Sequence, residues 1–335
     1  MVFVTGCHRS GTSLLASILV DVMGLSREDD LSPAPDNPAG FFESRQLTQF
    51  NDELLAMLGG DWCHPPLLRP RWSEPPLLDR IASRRGDFLS YTKADDWVDK
   101  DPRLSLTLPA FQHLFLKRIP VLVSLREPLA VAQSLHLRNG FSLDRGLVLW
   151  FLYNHHLCLS LRSTDQVLTY SDLLSTVHDR TAFLRFSSTL QSFLSVHKLS
   201  FVQPTSWEDI LNRRIQRRLN RAEVSSSDPI PASGSSTTDL VEFVQCCYAS
   251  SVTGLDGFRS AFSSLPPIIL ELCELLQIYA PGALMHQRCS SLEHSLAETT
   301  QDLHQHQQRL TALENSTIWR LASPLRRLID SRRSR

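Results

Sequence analysis

The sequence lacks the features that mark membrane, nucleic-acid-binding and disulfide-rich proteins. No stretch approaches the ~18 consecutive apolar residues of a membrane-spanning helix. The formal net charge is −1 in 335 residues, so no overall attraction to nucleic acid or to an anionic membrane is expected. The seven cysteines include no Cys-x-x-Cys pair, and no signal-peptide pattern opens the chain. These absences favour a cytoplasmic enzyme with reduced thiols.

The first part of the chain contains a strand, a loop and the start of a helix. Residues 2–4 are β-branched and aromatic, and the apolar residues of 14–19 recur with helical spacing. The loop between them runs from Gly6 to Gly11. Such a loop directs backbone N–H groups and the positive end of a helix dipole toward one point, which suits phosphate or sulfate. Further donors come from the side chains of Arg9, Ser10, Thr12 and Ser13.

The spacing of the two glycines is that of a nucleotide-binding P-loop, but one expected residue is missing. The Lys-Ser/Thr pair that should follow the second glycine is replaced by Thr12 and Ser13. The nearby cation, Arg9, lies inside the loop instead. An ordinary strand-to-helix turn is the alternative interpretation.

Two more predicted strands end in charged residues. The segment 96–104 reads as a short strand ending near Lys100 and Arg103, followed by a helix over 105–116. Since ligands bind beyond the carboxyl ends of parallel strands, both cations are expected near the glycine loop. A solvated run of charges is the alternative.

The clearest buried strand, residues 120–125, is followed directly by Arg126. In the helix after it, Ser134 and Arg138 are four residues apart and share one face. Together these three residues predict a second anion site. Two anion sites on one sheet indicate a ligand with two separate anionic groups.

Glu43 follows a turn-rich loop and precedes Ser44, the predicted N-cap of a helix that extends to residue 58. It is interpreted either as a functional carboxylate or as one that pairs with the helix dipole. The proline-rich segment 61–76 is expected to be irregular and to cover a cleft. Adjacent His155 and His156 face different sides of a helix, which disfavours a metal site.

The assembled motifs resemble the PAPS-dependent sulfotransferases, most closely the branch with tyrosylprotein sulfotransferases and bacterial sulfotransferase family proteins. The resemblance covers roughly residues 1–200. It implies an α/β fold with a P-loop-type parallel sheet flanked by helices. The four blocks that carry it are His8–Ser13, Asp99–Pro102, Arg126 with Ser134 and Arg138, and Thr169–Leu173.

The resemblance also implies roles for individual residues. Arg9 and the segment Ser10, Gly11, Thr12 and Ser13 would hold the 5′-phosphosulfate of PAPS. The 3′-phosphate would be held by Arg126, Ser134 and Arg138, with Tyr170 nearby. Lys100 would assist charge development on the sulfuryl group, and Glu43 would be the general base, with His8 as its rival. PAP would be the product, and no metal is implied.

The residue chemistry fits this resemblance independently. Sulfuryl transfer needs a base for the acceptor hydroxyl and cations or amides for the leaving phosphate. It needs no Mg²⁺, so the absence of a P-loop lysine is accounted for. Two alternatives remain, namely a P-loop kinase using ATP and a catalytically silent scaffold that acts through a C-terminal coiled coil.

The C-terminal third is predicted as an extension of the sulfotransferase domain of residues 1–223. A flexible linker at 224–238 leads to a helical segment at 239–289 and then to a weak coiled coil and basic tail at 290–335. The arginines of residues 213–221 are either solvated or close over the cofactor. The tail resembles segments of bacterial polysaccharide enzymes, which suggests a saccharide or cell-surface precursor as acceptor.

Residues 318–335 contain six arginines and one aspartate beside a Trp/Leu face. This pattern suits a peripheral contact at the inner membrane surface or a protein partner, and a disordered tail is the alternative. A homo-oligomer through the leucine repeat is a further candidate. No nucleic-acid partner is expected.

Overall fold

The computed structural model describes residues 1–25, 42–67, 69–89, 97–222, 235–279 and 299–312. The chain divides into two compact units, Met1–Ala283 and Leu284–Arg335. Among the described residues, no helix is both long and apolar enough to cross a bilayer.

The first unit is an α/β structure built on one parallel sheet. Its strands are β1 (Val2–Thr5), β2 (Val98–Lys100), β3 (Val121–Leu125) and β4 (Gln166–Thr169), in the spatial order β2-β1-β3-β4. All three strand pairings are parallel, with Val4 opposite both Lys100 and Leu122. The carboxyl ends of the strands therefore meet at one edge, and the expected α/β class with a parallel sheet is confirmed.

Helices cover the sheet and extend beyond it. In chain order they are α1 (Thr12–Val22), α2 (Arg45–Met57), α3 (Leu77–Ser83), α4 (Leu104–Phe115), α5 (Pro128–Asn139), α6 (Leu143–Cys158), α7 (Tyr170–Ser175), α8 (Arg180–Val196), α9 (Trp207–Ala222), α10 (Ser235–Ser251), α11 (Leu255–Phe262) and α12 (Pro267–Leu275). Two single 3₁₀ turns lie at Arg85–Phe88 and Pro204–Ser206. In the second unit, residues 299–312 form helix α13.

The two faces of β1 show why the sheet is buried on both sides. Side chains alternate along a strand, so Val2 and Val4 face the same side and Phe3 the other. Val2 and Val4 belong to a core that also contains residues of α1, α8 and α9. Phe3 lies edge to face with Phe111 of α4 at a ring-centroid distance of 5.6 Å. This double burial explains the uninterrupted apolar run at residues 2–4 of β1.

Some element boundaries differ from those expected. The composition of residues 167–170 predicts a short strand that ends at Tyr170. The strand ends instead at Thr169 and Tyr170 begins α7, because the Thr169 side chain caps the helix by accepting from the Asp172 amide. Helix α10 begins at Ser235, inside the predicted linker. Helices α11 and α12 lie in the predicted helical segment, whereas α3 was not predicted. Segment 61–76 is irregular where it is described, as expected.

The C-terminal predictions are tested only in part. Helix α13 confirms helical structure over 299–312, and its Leu303 and Leu310 are exposed. Nothing in the described residues tests the coiled coil, so it stays a prediction. The rest of the predicted coiled coil and basic tail, residues 290–298 and 313–335, lies outside the described residues, as do residues 223–234 of the linker region.

The described cysteines are all free thiols, in agreement with the expected reduced state. Cys7, Cys158, Cys247 and Cys273 are buried. Burial raises the pKa of each of these thiols above its usual value. They therefore behave as small core residues, while Cys289 lies outside the described part of the chain.

Candidate functional site

A cavity of about 350 Å³ lies at the carboxyl edge of β1 and β2. Each strand of the sheet leads directly to the glycine loop or to a predicted site residue. Gly6 follows β1, Lys100 ends β2, Arg126 follows β3 and Tyr170 follows β4. Sequence reasoning had expected the glycine loop and the β2 cations to meet here, and the structure confirms this. The cavity is lined by His8, Arg9, Gly11, Thr12, Ser13, Leu14, Glu43, Trp62, Lys100, Pro102, Arg103, Arg138 and Asn139.

The loop from Gly6 to Gly11 depends on both glycines. Gly6 has φ +145°, and a Cβ at this position would lie 2.3 Å from the carbonyl oxygen of Ser124 on β3. Gly11 has φ +86°, and its Cβ would lie 2.3 Å from the ring of Tyr170. Only glycine tolerates these positions without a shift of the neighbouring chain. The loop is therefore held against both β3 and α7.

Gly11 is also the N-cap of α1 and has no side chain that could accept from the first-turn N–H groups. These groups and the helix dipole suit an anion in the cavity beside Thr12 and Ser13. Buried Ser10 is part of the same loop, and its carbonyl oxygen accepts from the Ser124 hydroxyl at 2.7 Å. The loop geometry is thus compatible with the predicted 5′-phosphosulfate site.

Arg9 joins the loop to the second predicted anion site. Its Nε donates to the hydroxyl of Ser134 at 2.8 Å, and its carbonyl oxygen accepts from Nη1 of Arg126 at 3.0 Å. The Arg126 guanidinium lies 4.9 Å from the ring centroid of Tyr170, within cation–π range. Four of the predicted cofactor residues therefore form one contiguous cluster beside the cavity.

Arg138 lies on the cavity lining, as does Arg9 of that cluster. Its guanidinium is 5.4 Å from the ring centroid of Trp62, which also lines the cavity. Arg126, Ser134 and Tyr170 are not among the residues of this lining. Of the three residues predicted to hold one phosphate, Arg138 is thus the one that lines the cavity.

Glu43 and Lys100 form a buried ion pair in the cavity wall. Oε1 of Glu43 accepts from Nζ of Lys100, and the two residues are 8% and 2% exposed. Burial, with a smaller contribution from the nearby Asp101 carboxylate, raises the pKa of Glu43 above its ordinary value, although Lys100 opposes the shift. A carboxylate with a raised pKa beside a cation suits proton transfer.

The alternative base, His8, has the opposite electrostatic environment. Burial lowers its pKa well below the usual value, and the positive charges of Arg103, Arg138, Lys100 and Arg9 lower it further. Its Nε2 is buried and has no hydrogen-bond partner in the described part of the protein. The lowered pKa makes His8 a weaker base, which favours Glu43 for this role.

The proline-rich segment is held on α6 by hydrogen bonds that sequence reasoning missed. The Tyr153 hydroxyl donates to the Trp62 carbonyl at 2.7 Å, and Nη2 of Arg145 donates to the Cys63 carbonyl at 3.0 Å. Nε2 of His156 donates to the Pro66 carbonyl at 2.6 Å. These contacts place Trp62 in the cavity wall. This agrees with the prediction that the segment covers a cleft, although that prediction did not identify the residue that reaches it.

Candidate metal ligands in this region are accounted for by hydrogen bonds. The ligand atoms of Asp61, Cys63 and His64 lie within 4.8 Å of one another. Arg145 donates to Nε2 of His64 at 2.9 Å, which directs the Nδ1 proton toward Asp61 at 3.1 Å and leaves no lone pair for a metal. His155 likewise donates to the Phe262 carbonyl at 2.7 Å. His155 and His156 thus each donate a hydrogen bond to a backbone carbonyl.

The predicted basic run in α9 has a contact of its own. Arg213 and Arg214 both pair with Asp21 of α1, at 2.8 and 2.6 Å. The Arg214 guanidinium also lies 5.9 Å from the ring centroid of Phe42. These two arginines connect α9 to α1 through ion pairs with Asp21. The sequence had instead predicted that they are solvated or close over the cofactor.

A comparison with known proteins adds no homologue to this description, because no family model and no curated protein matches the chain. The functional argument therefore depends on the site itself.

Proposed function

We propose that the protein is a P-loop-type sulfotransferase that moves a sulfuryl group from PAPS to a hydroxyl of an acceptor. The observation that carries this proposal is the buried Glu43–Lys100 pair beside the glycine loop. A base and a cation in contact, next to an anion-binding loop, supply the groups that transfer of an anionic sulfuryl group requires. The neighbouring cluster of Arg9, Arg126 and Ser134 supports a ligand with a second anionic group.

In the proposed reaction Glu43 takes the proton of the acceptor hydroxyl as its oxygen forms a bond to sulfur. The bond between sulfur and the bridging phosphate oxygen breaks, and PAP leaves with that electron pair. Lys100 and the amides at the start of α1 stabilise the negative charge that accumulates on the sulfuryl and phosphate oxygens. Arg126 and Ser134 would hold the 3′-phosphate, and Arg138 would contact either this phosphate or the acceptor side of the cavity beside Trp62.

The acceptor class is proposed from the sequence alone, as a saccharide or cell-surface precursor reached from the cytoplasmic side of the inner membrane. Trp62, Arg138 and Asn139 on the cavity wall are compatible with a polar acceptor. A screen of saccharide, peptide and lipid hydroxyl compounds separates these classes.

Nucleotide binding discriminates between the sulfotransferase and a kinase. Calorimetric titration should show binding of PAP that is unchanged by Mg²⁺ or EDTA, and weaker binding of ATP under both conditions. Tight Mg²⁺-dependent binding of ATP without binding of PAP would contradict the proposal. Binding of neither nucleotide would favour the silent scaffold.

A further inference from the structure

The Glu43–Lys100 pair is supported by another carboxylate, that of Asp99, which the proposed reaction does not use. Asp99 precedes Lys100 in β2 and is 1% exposed. Its Oδ1 accepts from the backbone N–H of Ser44 at 3.1 Å and from the backbone N–H of Lys100 at 2.8 Å. One carboxylate oxygen therefore connects the residue after Glu43 to Lys100 itself.

This connection bridges two segments that are otherwise distant in sequence. Ser44 is the N-cap of α2, and its hydroxyl accepts from the Leu47 amide at 3.2 Å. With the hydroxyl used for the helix and the N–H used by Asp99, the backbone after Glu43 is fixed relative to both α2 and β2. The separation of the Glu43 carboxyl from the Lys100 ammonium then depends on the Asp99 side chain.

Asp101, on the other side of Lys100, has a different role. Its Oδ2 accepts from Nδ2 of Asn51 at 2.9 Å, and its carbonyl oxygen accepts from the Thr5 hydroxyl at 3.0 Å. These contacts fix the turn after β2 to α2 and to β1, without an amide of the Glu43 segment. Of these two carboxylates, Asp99 is thus the one that accepts from the backbone N–H groups of both Ser44 and Lys100.

We propose that Asp99 is a positioning residue that holds Glu43 against Lys100 through the amides of Ser44 and Lys100. The significance for catalysis rests on the proposed function, whereas the geometric role does not. Asparagine retains the oxygen that accepts both amides, so Asp99→Asn preserves the arrangement. Asp99→Ala leaves both N–H groups without this acceptor, and Glu43 moves out of its buried position beside Lys100. The loss of burial, which is the largest cause of the raised Glu43 pKa, then outweighs the loss of the opposing Lys100 charge.

The test compares Asp99→Asn and Asp99→Ala with the wild-type protein by ¹³C NMR titration of the glutamate carboxyls, with the Glu43 signal assigned from its loss in Glu43→Gln. The raised pKa of Glu43 should persist in Asp99→Asn and move toward its ordinary value in Asp99→Ala. PAPS-dependent turnover should fall about 100-fold in Asp99→Ala, the loss expected for misplaced catalytic groups, with a KM for PAPS within about threefold of wild type.

Asp165 provides a matched control, because it is another buried carboxylate that accepts from backbone amides, those of Val121 at 3.0 Å and Arg162 at 2.7 Å. Asp165→Ala should lower the melting temperature without moving the Glu43 pKa. An unchanged Glu43 pKa in a folded Asp99→Ala, or a pKa that moves equally in Asp165→Ala, would overturn the positioning role.

Amide hydrogen exchange in the wild-type protein supplies a measurement that does not depend on a variant folding. The Ser44 N–H precedes the first turn of α2 and donates to the Asp99 carboxylate, so a lasting bond to Asp99 should slow its exchange. Protection of Ser44 together with Lys100 is expected, and unprotected exchange at Ser44 would refute the proposal. If the NMR and exchange results hold but PAP does not bind, the positioning role stands and the sulfotransferase proposal fails.

Discussion

The Nζ of Lys100 donates to Oε1 of Glu43 across 57 residues of sequence, inside a wall that leaves both side chains almost inaccessible. Lys100 ends β2, and Glu43 immediately precedes the N-cap of α2. Removing one member of a buried pair leaves the other charge unbalanced, so both positions are sensitive to substitution. Their contact also places a carboxyl group and an ammonium group side by side in the cavity wall.

Exchange of Glu43 for glutamine separates the two candidate bases. Glu43→Gln keeps the shape of the side chain but removes the proton acceptor, and turnover should fall by about 10² to 10⁴, the range for loss of a general base. PAP affinity should change little because the loop is untouched. The matched variant His8→Gln should retain the larger share of turnover, and a greater loss in His8→Gln than in Glu43→Gln would make His8 the base.

Removal of the Lys100 charge should change the pH dependence as well as the rate. Lys100 lowers the pKa of Glu43 against the effect of burial, so Lys100→Met raises that pKa further. A general base acts when deprotonated, and turnover therefore rises with pH through the Glu43 pKa. The acid limb of the pH–rate profile should move to higher pH in Lys100→Met.

The exposed Lys117 offers a control for this shift, since Lys117→Met also removes one positive charge. Its acid limb should match that of the wild-type protein. Equal limbs in all three proteins would mean that Glu43 does not control the rate at low pH.

Gly11 should be less replaceable than Gly140, although both have positive φ. Nothing lies within 4 Å of a Cβ built on Gly140, so Gly140→Ala carries only the backbone cost of about 1 kcal/mol for alanine in the left-handed region. In Gly11→Ala the new methyl group also meets the Tyr170 ring. Urea denaturation should show the larger loss for Gly11→Ala, and PAP affinity should fall in that variant alone. Equal losses of stability would argue against close packing of the loop on Tyr170.

Arg126 should distinguish nucleotides by their 3′-phosphate. Arg126→Ala removes a charged hydrogen-bond donor, and PAP affinity should fall roughly tenfold to a hundredfold. Affinity for 5′-AMP, which has no 3′-phosphate, should change far less. The same comparison for Arg138→Ala shows whether that residue contacts the 3′-phosphate or the acceptor. A parallel loss of AMP and PAP affinity in Arg126→Ala would instead indicate a collapsed loop, because Arg126 also supports the Arg9 carbonyl.

The sheet and the position of the site follow from features that are local in sequence. Apolar runs at residues 2–4 and 120–125 predict buried strands, and the carboxyl ends of parallel strands necessarily meet. The glycine loop was predictable for the same reason, since residues 6–11 form it within one short segment. The family resemblance assigned Glu43 and Lys100 to the same site, but the spacing of the two residues in the sequence did not predict their contact.

Other parts of the site depend on tertiary contacts that no local pattern encodes. Trp62 reaches the cavity because Tyr153, Arg145 and His156 hold its segment on α6, and these residues are distant in sequence. Arg138 lies over the Trp62 ring, whereas Ser134 and Arg126 contact Arg9. A shared helix face predicted correctly that Ser134 and Arg138 are neighbours, but not which partners each would find.

Transfer of radiolabelled sulfate from PAPS to saccharide, peptide and lipid acceptors, by the wild-type protein and by Glu43→Gln, tests the central claim most directly. The account predicts a labelled product in one acceptor class with the wild-type protein, formation of PAP in equal amount, and a strongly reduced yield with Glu43→Gln. Equal yields from the two proteins, or transfer of phosphate from ATP in place of sulfate from PAPS, would contradict it.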